Sequence, residues 1–218
     1  MAPRFVLNQN PSARAGAYRE RFPASQLFLG PSWALIRREF SLLQDCETDI
    51  EYDVYLSLGG SDVRELTFSL AWHLAEAGLS AIVGVGPAVK NRHSLMVNLE
   101  SLPGVTCSLP LEAPYNMARS NVLVLGAGSS LWEAAVLRKR CIGLIVADNQ
   151  VGPAESAVQG GLVFRSLDFR HESDSVGFGT RLLDCIREAI SHARPHEQIV
   201  GTAARELAGS IVRQLLPD

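Results

Sequence analysis

NVLVLGAGSSLWEAAVLRKRCIGLIVADN, Asn121 to Asn149, is the stretch whose reading decides the fold. Val122 to Leu125 is an uninterrupted apolar run of strand length, as expected for a strand buried on both faces, and Gly126 and Gly128 punctuate its end. Ser129 and Ser130 precede Leu131, Ala134, Ala135 and Leu137, whose spacing predicts one apolar helical face. A hydroxyl-flanked helix N-terminus therefore opens just beyond the carboxyl end of a strand, where open α/β sheets bind anions. After a basic helix end (Arg138, Lys139, Arg140), Cys141 to Val146 predicts a second strand that leaves through Ala147, Asp148, Asn149 and Gln150. The unit is a βαβ.

The same arrangement occurs earlier. Val54 to Leu58 is an apolar strand followed by Gly59, Gly60, Ser61 and Asp62, and Val63, Leu66, Thr67, Leu70 and Leu74 share one face of a helix that Gly78 stops. Both units carry the spacing of a capping box, Asp62 to Glu65 and Ser130 to Glu133. Between them lie a strand at Ala81 to Val85, broken by Gly86 and Pro87, a polar helix at about Asn91 to Glu100, a strand at Val105 to Leu109 and a short helix at Ala113 to Arg119. Beyond Gln150, a helix at Ala154 to Gln159 ends at Gly160 and Gly161, and Leu162 to Phe164 reads as the last strand. Ser166 to Gly179 reads as a polar loop, Leu182, Leu183, Ile186 and Ile190 mark a helix, and a final helix is expected around Val200 to Leu215.

About six strands alternating with helices predict an α/β, Rossmann-like, doubly wound parallel sheet. Residues 1–40 read as an N-terminal extension or linker with a short strand at Phe5 to Leu7, and residues 41–218 as the Rossmann-like domain. Trp33, Leu35, Ile36 and Phe40 line one side of a short helix or turn that would present an exposed apolar face. Trp33, Trp72 and Trp132 are read as core or edge packing.

The 218 residues are 47% hydrophobic and 20% charged, enough for one good core. A net charge of -3 supplies no basic field for nucleic acid. Cys46, Cys107, Cys141 and Cys185 stand far apart without a C-x-x-C pair, in keeping with reduced thiols of a cytoplasmic protein. No secretory signal pattern and no apolar stretch near the ~20 residues of a membrane span is present. His192 and His196 form a His-x-x-x-His pair interrupted by Pro195 and lacking an acidic third ligand at recognisable spacing, so no metal and no cofactor is expected.

The two glycine turns could cradle a nucleoside diphosphate. Glycine lets backbone N–H groups approach phosphate oxygens, and each helix N-terminus adds roughly 0.3–1 kcal/mol for an anion. Ser61, Ser129 and Ser130 offer hydroxyls, and no Walker pattern is present. Glu133 either accepts from a ribose diol or closes the capping box on Ser130. Gly126-x-Gly128-x-x-Leu131, with Asp148 twenty residues beyond Gly128, approaches a dinucleotide fingerprint, but Leu131 stands where the third glycine belongs.

LNQN (Leu7 to Asn10), LGPSWALIRREF (Leu29 to Phe40), LSLGGSD (Leu56 to Asp62), GAGSSLWEAA (Gly126 to Ala135) and ADNQ (Ala147 to Gln150) together resemble the carboxyl-terminal half of the bacterial UDP-2,4-diacetamido-2,4,6-trideoxy-altropyranose hydrolases of pseudaminic acid biosynthesis. That family is related to the MurG-like glycosyltransferases, so the resemblance implies one half of a GT-B fold. It further implies Gly59, Gly60, Ser61, Gly128, Ser129 and Ser130 at the phosphates of a UDP-sugar, Glu133 at ribose, and Asn149 with Gln150 facing the sugar. Where the family reads GAGGST, Ser129 and Leu131 replace a glycine and a threonine. Its catalytic histidine belongs to an amino-terminal domain without a counterpart among these residues, so the catalytic residues stay unassigned. Three readings follow: a hydrolase half that works with a separate amino-terminal-domain protein or is a fragment of the full enzyme, the donor-binding subunit of a split glycosyltransferase, or a non-catalytic nucleotide-binding or interaction module.

Overall fold

The computed structural model describes residues 2–44, 46–171, 175–192 and 206–209. Among them, β3 (Tyr52–Ser57), β4 (Ala81–Gly84), β5 (Val105–Ser108), β6 (Ser120–Gly126), β7 (Arg140–Ile145) and β8 (Arg165–Asp168) form a six-stranded, all-parallel sheet in the order β5-β4-β3-β6-β7-β8. The chain fills one side of β3 and then returns to fill the other. The strand order thus reverses between β3 and β6, the switch point at which doubly wound sheets open a crevice at their carboxyl edge.

The apolar runs arise because both faces of these strands are covered. Val54, Leu56, Val122, Val124, Ile142 and Leu144 face one core. The alternating residues Tyr55, Leu123, Leu125, Cys141 and Ile145 face the other. The first core is closed by α3 (Thr67–Glu76), α4 (Arg92–Glu100) and α8 (Ser175–Ser191), and the second by α5 (Ala113–Ala118), α6 (Ser130–Val136) and α7 (Val151–Gln159). Lys139 is buried at a strand entrance, where its ammonium donates to the carbonyls of Ala118 and Ser120.

Before this sheet, β1 (Phe5–Asn8) and β2 (Gln26–Leu29) pair in parallel as a separate two-stranded unit joined through α1 (Ala15–Arg19). The next segment leads into α2 (Arg38–Leu43). It does not present the apolar face expected at Trp33 to Phe40: Ala34, Ile36 and Phe40 are buried in the same core as α6, and Leu35 is the exposed member of the set. Trp132 is core, Trp33 packs edge-on against Phe28 at 4.6 Å, and Trp72 is substantially exposed.

Three further expectations need correction. The helix after β3 begins at Thr67, leaving Val63 on the surface, because Asp62 and Glu65 adopt positive φ and hold the chain in a loop. The last strand is Arg165–Asp168, whereas Leu162 and Val163 are buried in the core without pairing in the sheet. The expected loop from Ser166 to Gly179 contains most of β8 and the start of α8, and Gly179 gives α8 the room to lie against His73 of α3. Of the final helix expected at Val200 to Leu215, residues 206–209 are helical and the remainder lies outside the described residues, as does His196.

Candidate functional site

At the switch point the exits of β3 and β6 lie side by side. A side chain on Gly126 would press on the backbone of Leu58, its oxygen only 3.2 Å from the added carbon, so glycine there permits the two turns to approach. Beneath them, between the sheet and α5, is a cleft of about 150 Å³. Gly59, Gly60, Ser130 and Glu133 line it, as do Arg37, Tyr55 and Gly86.

The first turn is held from below by the exit of β4. Ala88 N donates to Gly60 O at 2.9 Å, and a Cβ on Gly86 would overlap the carbonyl oxygens of Gly59 and Gly60. Gly59 has φ +85°, a conformation that favours glycine. The N-terminus of α3 is already occupied. Asp62, 5% exposed, accepts hydrogen bonds from Leu66 N at 3.1 Å and Thr67 N at 2.9 Å. This replaces the Asp62 to Glu65 capping box: Glu65 lies in the left-handed region and its carboxylate meets Lys90 at 3.4 Å.

The second turn is different. α6 starts directly at Ser130, no side chain caps it, and among the described residues no acceptor pairs with the amides of Ser129 and Ser130. The expected Ser130 to Glu133 capping box is absent, because Glu133 turns instead to Arg37. Nε of Arg37 donates to Oε1 at 2.7 Å and Nη2 to Oε2 at 3.2 Å. The helix packs through Leu131 and Trp132, both buried. Leu131 takes the place of a fingerprint glycine without loss of close packing, since Gly143 on β7 lies opposite and an added Cβ would sit 3.5 Å from the Leu131 side chain.

Tyr55 and Ser57 form the floor. Burial pushes the Tyr55 phenol up to about 12, and Ser57 Oγ donates to Gly84 O at 2.9 Å, so the floor presents neutral hydroxyl chemistry. Pairing with Glu133 raises the Arg37 guanidinium above its ordinary value.

Of the nine residues singled out in the sequence, Gly59, Gly60, Ser130 and Glu133 line the cleft, whereas Ser61, Gly128, Ser129, Asn149 and Gln150 do not. Gln150 uses its amide oxygen to accept from Val146 N at 2.8 Å, and Asn149 is exposed in a short 3-10 turn. Asp148 pairs with Arg170 at 2.8 Å. The sequence reading missed Arg37 and Gly86 as members of the site. Arg37 lies within the LGPSWALIRREF segment and Gly86 breaks a strand, but each acquires its role through a distant partner.

No protein-family profile matches the chain. It is 25% identical over 155 residues to the UDP-2,4-diacetamido-2,4,6-trideoxy-beta-L-altropyranose hydrolase of Campylobacter jejuni, covering 68% of this chain and 55% of the relative. The chain therefore spans about half the length of that relative. Its fold is shared with the UDP-GlcNAc 2-epimerase of Methanocaldococcus jannaschii, solved with UDP-GlcNAc and UDP (TM-score 0.58, 14% identity, 95% of this chain and 61% of that one). It is also shared with Acinetobacter baumannii MurG (TM-score 0.55, 13% identity, 97% and 66%). The resemblance read from the motifs thus holds, and the architecture is a Rossmann-like half of the GT-B fold. Among the described residues no helix is long and apolar enough to cross a membrane.

Proposed function

We propose that the chain is the nucleotide-sugar-binding half of a hydrolase of the UDP-altropyranose type, with UDP lying over the two glycine turns. The observation that carries this reading is the convergence of Gly59, Gly60, Ser130 and Glu133 on one cleft at the reversal of strand order. In this reading the amides of Gly60, Ser61, Ser129 and Ser130 donate to phosphate oxygens, and the missing side chains of Gly59 and Gly128 leave room for the phosphates. Glu133 accepts from the ribose diol. Asn149 and Gln150, at the exit of the neighbouring strand, stand on the side of the sugar. Several hydrogen bonds to a charged group, at ~1.5–3 kcal/mol each and offset by the cost of association, are compatible with a micromolar Kd.

Hydrolysis needs a group that activates water at the scissile bond. Among the described residues no histidine lines the cleft, Tyr55 is neutral, and Glu133 is engaged by Arg37. The base would come from the opposite wall of the cleft, supplied by an amino-terminal domain. The completed site would act on a UDP-sugar in a cytoplasmic polysaccharide pathway of the pseudaminic acid kind.

Calorimetric titration with UDP tests the cradle. Micromolar binding that falls at least tenfold in Glu133→Ala is expected, and absence of binding at millimolar UDP overturns the reading. Incubated alone with a UDP-sugar, the chain should leave it intact; turnover would place the base within this chain.

A further inference from the structure

We infer that Arg37 and Glu133 form an exchangeable ion pair that gates the cleft by charge: an anionic group on the ligand draws Arg37 off Glu133, and only then is the carboxylate open to hydroxyl donors. This rests on the nucleotide-binding reading above, and it gives the diphosphate a cationic side chain that neither glycine turn contains. Glu133 lines the cleft with its side chain 12% exposed, yet its best acceptor positions are already taken.

Nε of Arg37 donates to Oε1 at 2.7 Å and Nη2 to Oε2 at 3.2 Å. This fork takes the two parallel lone pairs of the carboxylate, the same two that a vicinal diol would need, and the lone pairs left over diverge. The cleft is thus closed to a diol by a group of its own. A neutral diol competes poorly for that position, because its donors are uncharged and the guanidinium it must expel would lose its ionised partner.

The surroundings of Arg37 identify what can expel it. Among the described residues lining the cleft, Arg37 and Glu133 are the charged ones, one cation and one anion. A diphosphate finds no other positive side chain there, and an unpaired Glu133 would repel it. Ser130, whose amide stands at phosphate in the reading above, opens α6 one helical turn before Glu133, so phosphate and carboxylate lie roughly 5 Å apart along the helix. Arg37 spans that step from a fixed base. Its Cζ lies 4.8 Å from the ring centroid of the buried Phe40 and Nη1 donates to Pro110 O at 3.3 Å, while its side chain, 44% exposed, has room to turn. After the exchange Arg37 pairs with phosphate and Glu133 with hydroxyls, so both charges keep partners. A ligand without the anion leaves Arg37 with none.

Titrations of UDP by calorimetry and of uridine by ligand-observed NMR, into the wild-type chain and into Arg37→Met and Arg37→Gln, each checked by circular dichroism, test the exchange. The two ligands should respond with opposite sign. UDP should weaken by about tenfold or more in both variants, because the diphosphate loses its cation. Uridine should tighten by about fivefold or more, because the carboxylate is no longer closed. If Arg37→Met does not fold, the two ratios for Arg37→Gln decide. Uridine that binds no better to the folded variants overturns the closure, UDP that binds them as tightly as wild type overturns the transfer to phosphate, and either result overturns the exchange. Wild type and variants that all bind neither ligand overturn the nucleotide reading itself, a result distinct from the others.

Discussion

The turn after β3 and the turn after β6 carry nearly the same signal, a buried strand, two glycines, a serine and a helix, yet they treat the helix end in opposite ways. At the first, the chain loops for several residues through positive φ at Gly59, Asp62 and Glu65, and the Asp62 carboxylate fills the N-terminus of α3. At the second, α6 begins at once, Ser129 and Ser130 keep their amides open, and the nearby carboxylate is led away by Arg37. One helix end is satisfied from within. The other stays open to an incoming anion. The lesson is that a capping pattern says a helix end will be satisfied, not by which group.

Substitutions can break this contrast. The largest effect is expected from Gly86→Val, because the new side chain would displace Gly59 and Gly60: a loss of ~1–3 kcal/mol of stability in urea unfolding, with nucleotide binding abolished in calorimetry. Gly128→Ala at the second turn meets nothing within 4 Å. It should leave stability within ~0.5 kcal/mol while crowding the phosphates and weakening UDP binding. Next comes Asp62→Ala, expected to cost about 1–2 kcal/mol through loss of the α3 cap. Ser130→Ala should leave the unfolding midpoint unchanged, since its hydroxyl caps nothing, and lower nucleotide affinity a fewfold. Gln150→Ala removes the acceptor for Val146 N and should cost about 1 kcal/mol, with UDP affinity the less affected because the side chain does not line the cleft.

The smallest effect is one of pH. Hydrogen bonds from Arg170 hold Asp168 down to about 2. Its native value lies below that of the unfolded chain, so the contribution is complete above about pH 4 and is lost as pH falls from there towards 2. The pair is solvent-screened, and the urea midpoint should move little over that window. A large acid shift that persists in Asp168→Asn would instead implicate other carboxylates.

Local features made much of this legible. The runs at Val54 to Leu58, Val122 to Leu125 and Cys141 to Val146 are buried on both faces, and their continuity without polar alternation identified β3, β6 and β7. Four cleft residues, Gly59, Gly60, Ser130 and Glu133, were singled out from turn and capping chemistry together with the family resemblance. Arg165–Asp168 was misplaced because Leu162 and Val163 are more apolar than the edge strand that follows them. The late start of α3 was missed because the apolar spacing of Val63 and Leu66 continues the helical face, while the positive φ values at Asp62 and Glu65 leave no mark in composition. The pairing of Arg37 with Glu133 spans 96 residues, and no local rule reaches that far.

The sequence by itself determined the alternation of strands and helices, the glycine turns at the strand exits and the donor groups around them, because these depend on side-chain periodicity and on backbone freedom within a few residues. Tertiary structure alone decided which turns meet, which helix end stays open and which partner Glu133 takes. Those outcomes depend on strand order, which brings the exits of β3 and β6 together, and on the burial of Phe40, which carries Arg37 to the edge of α6.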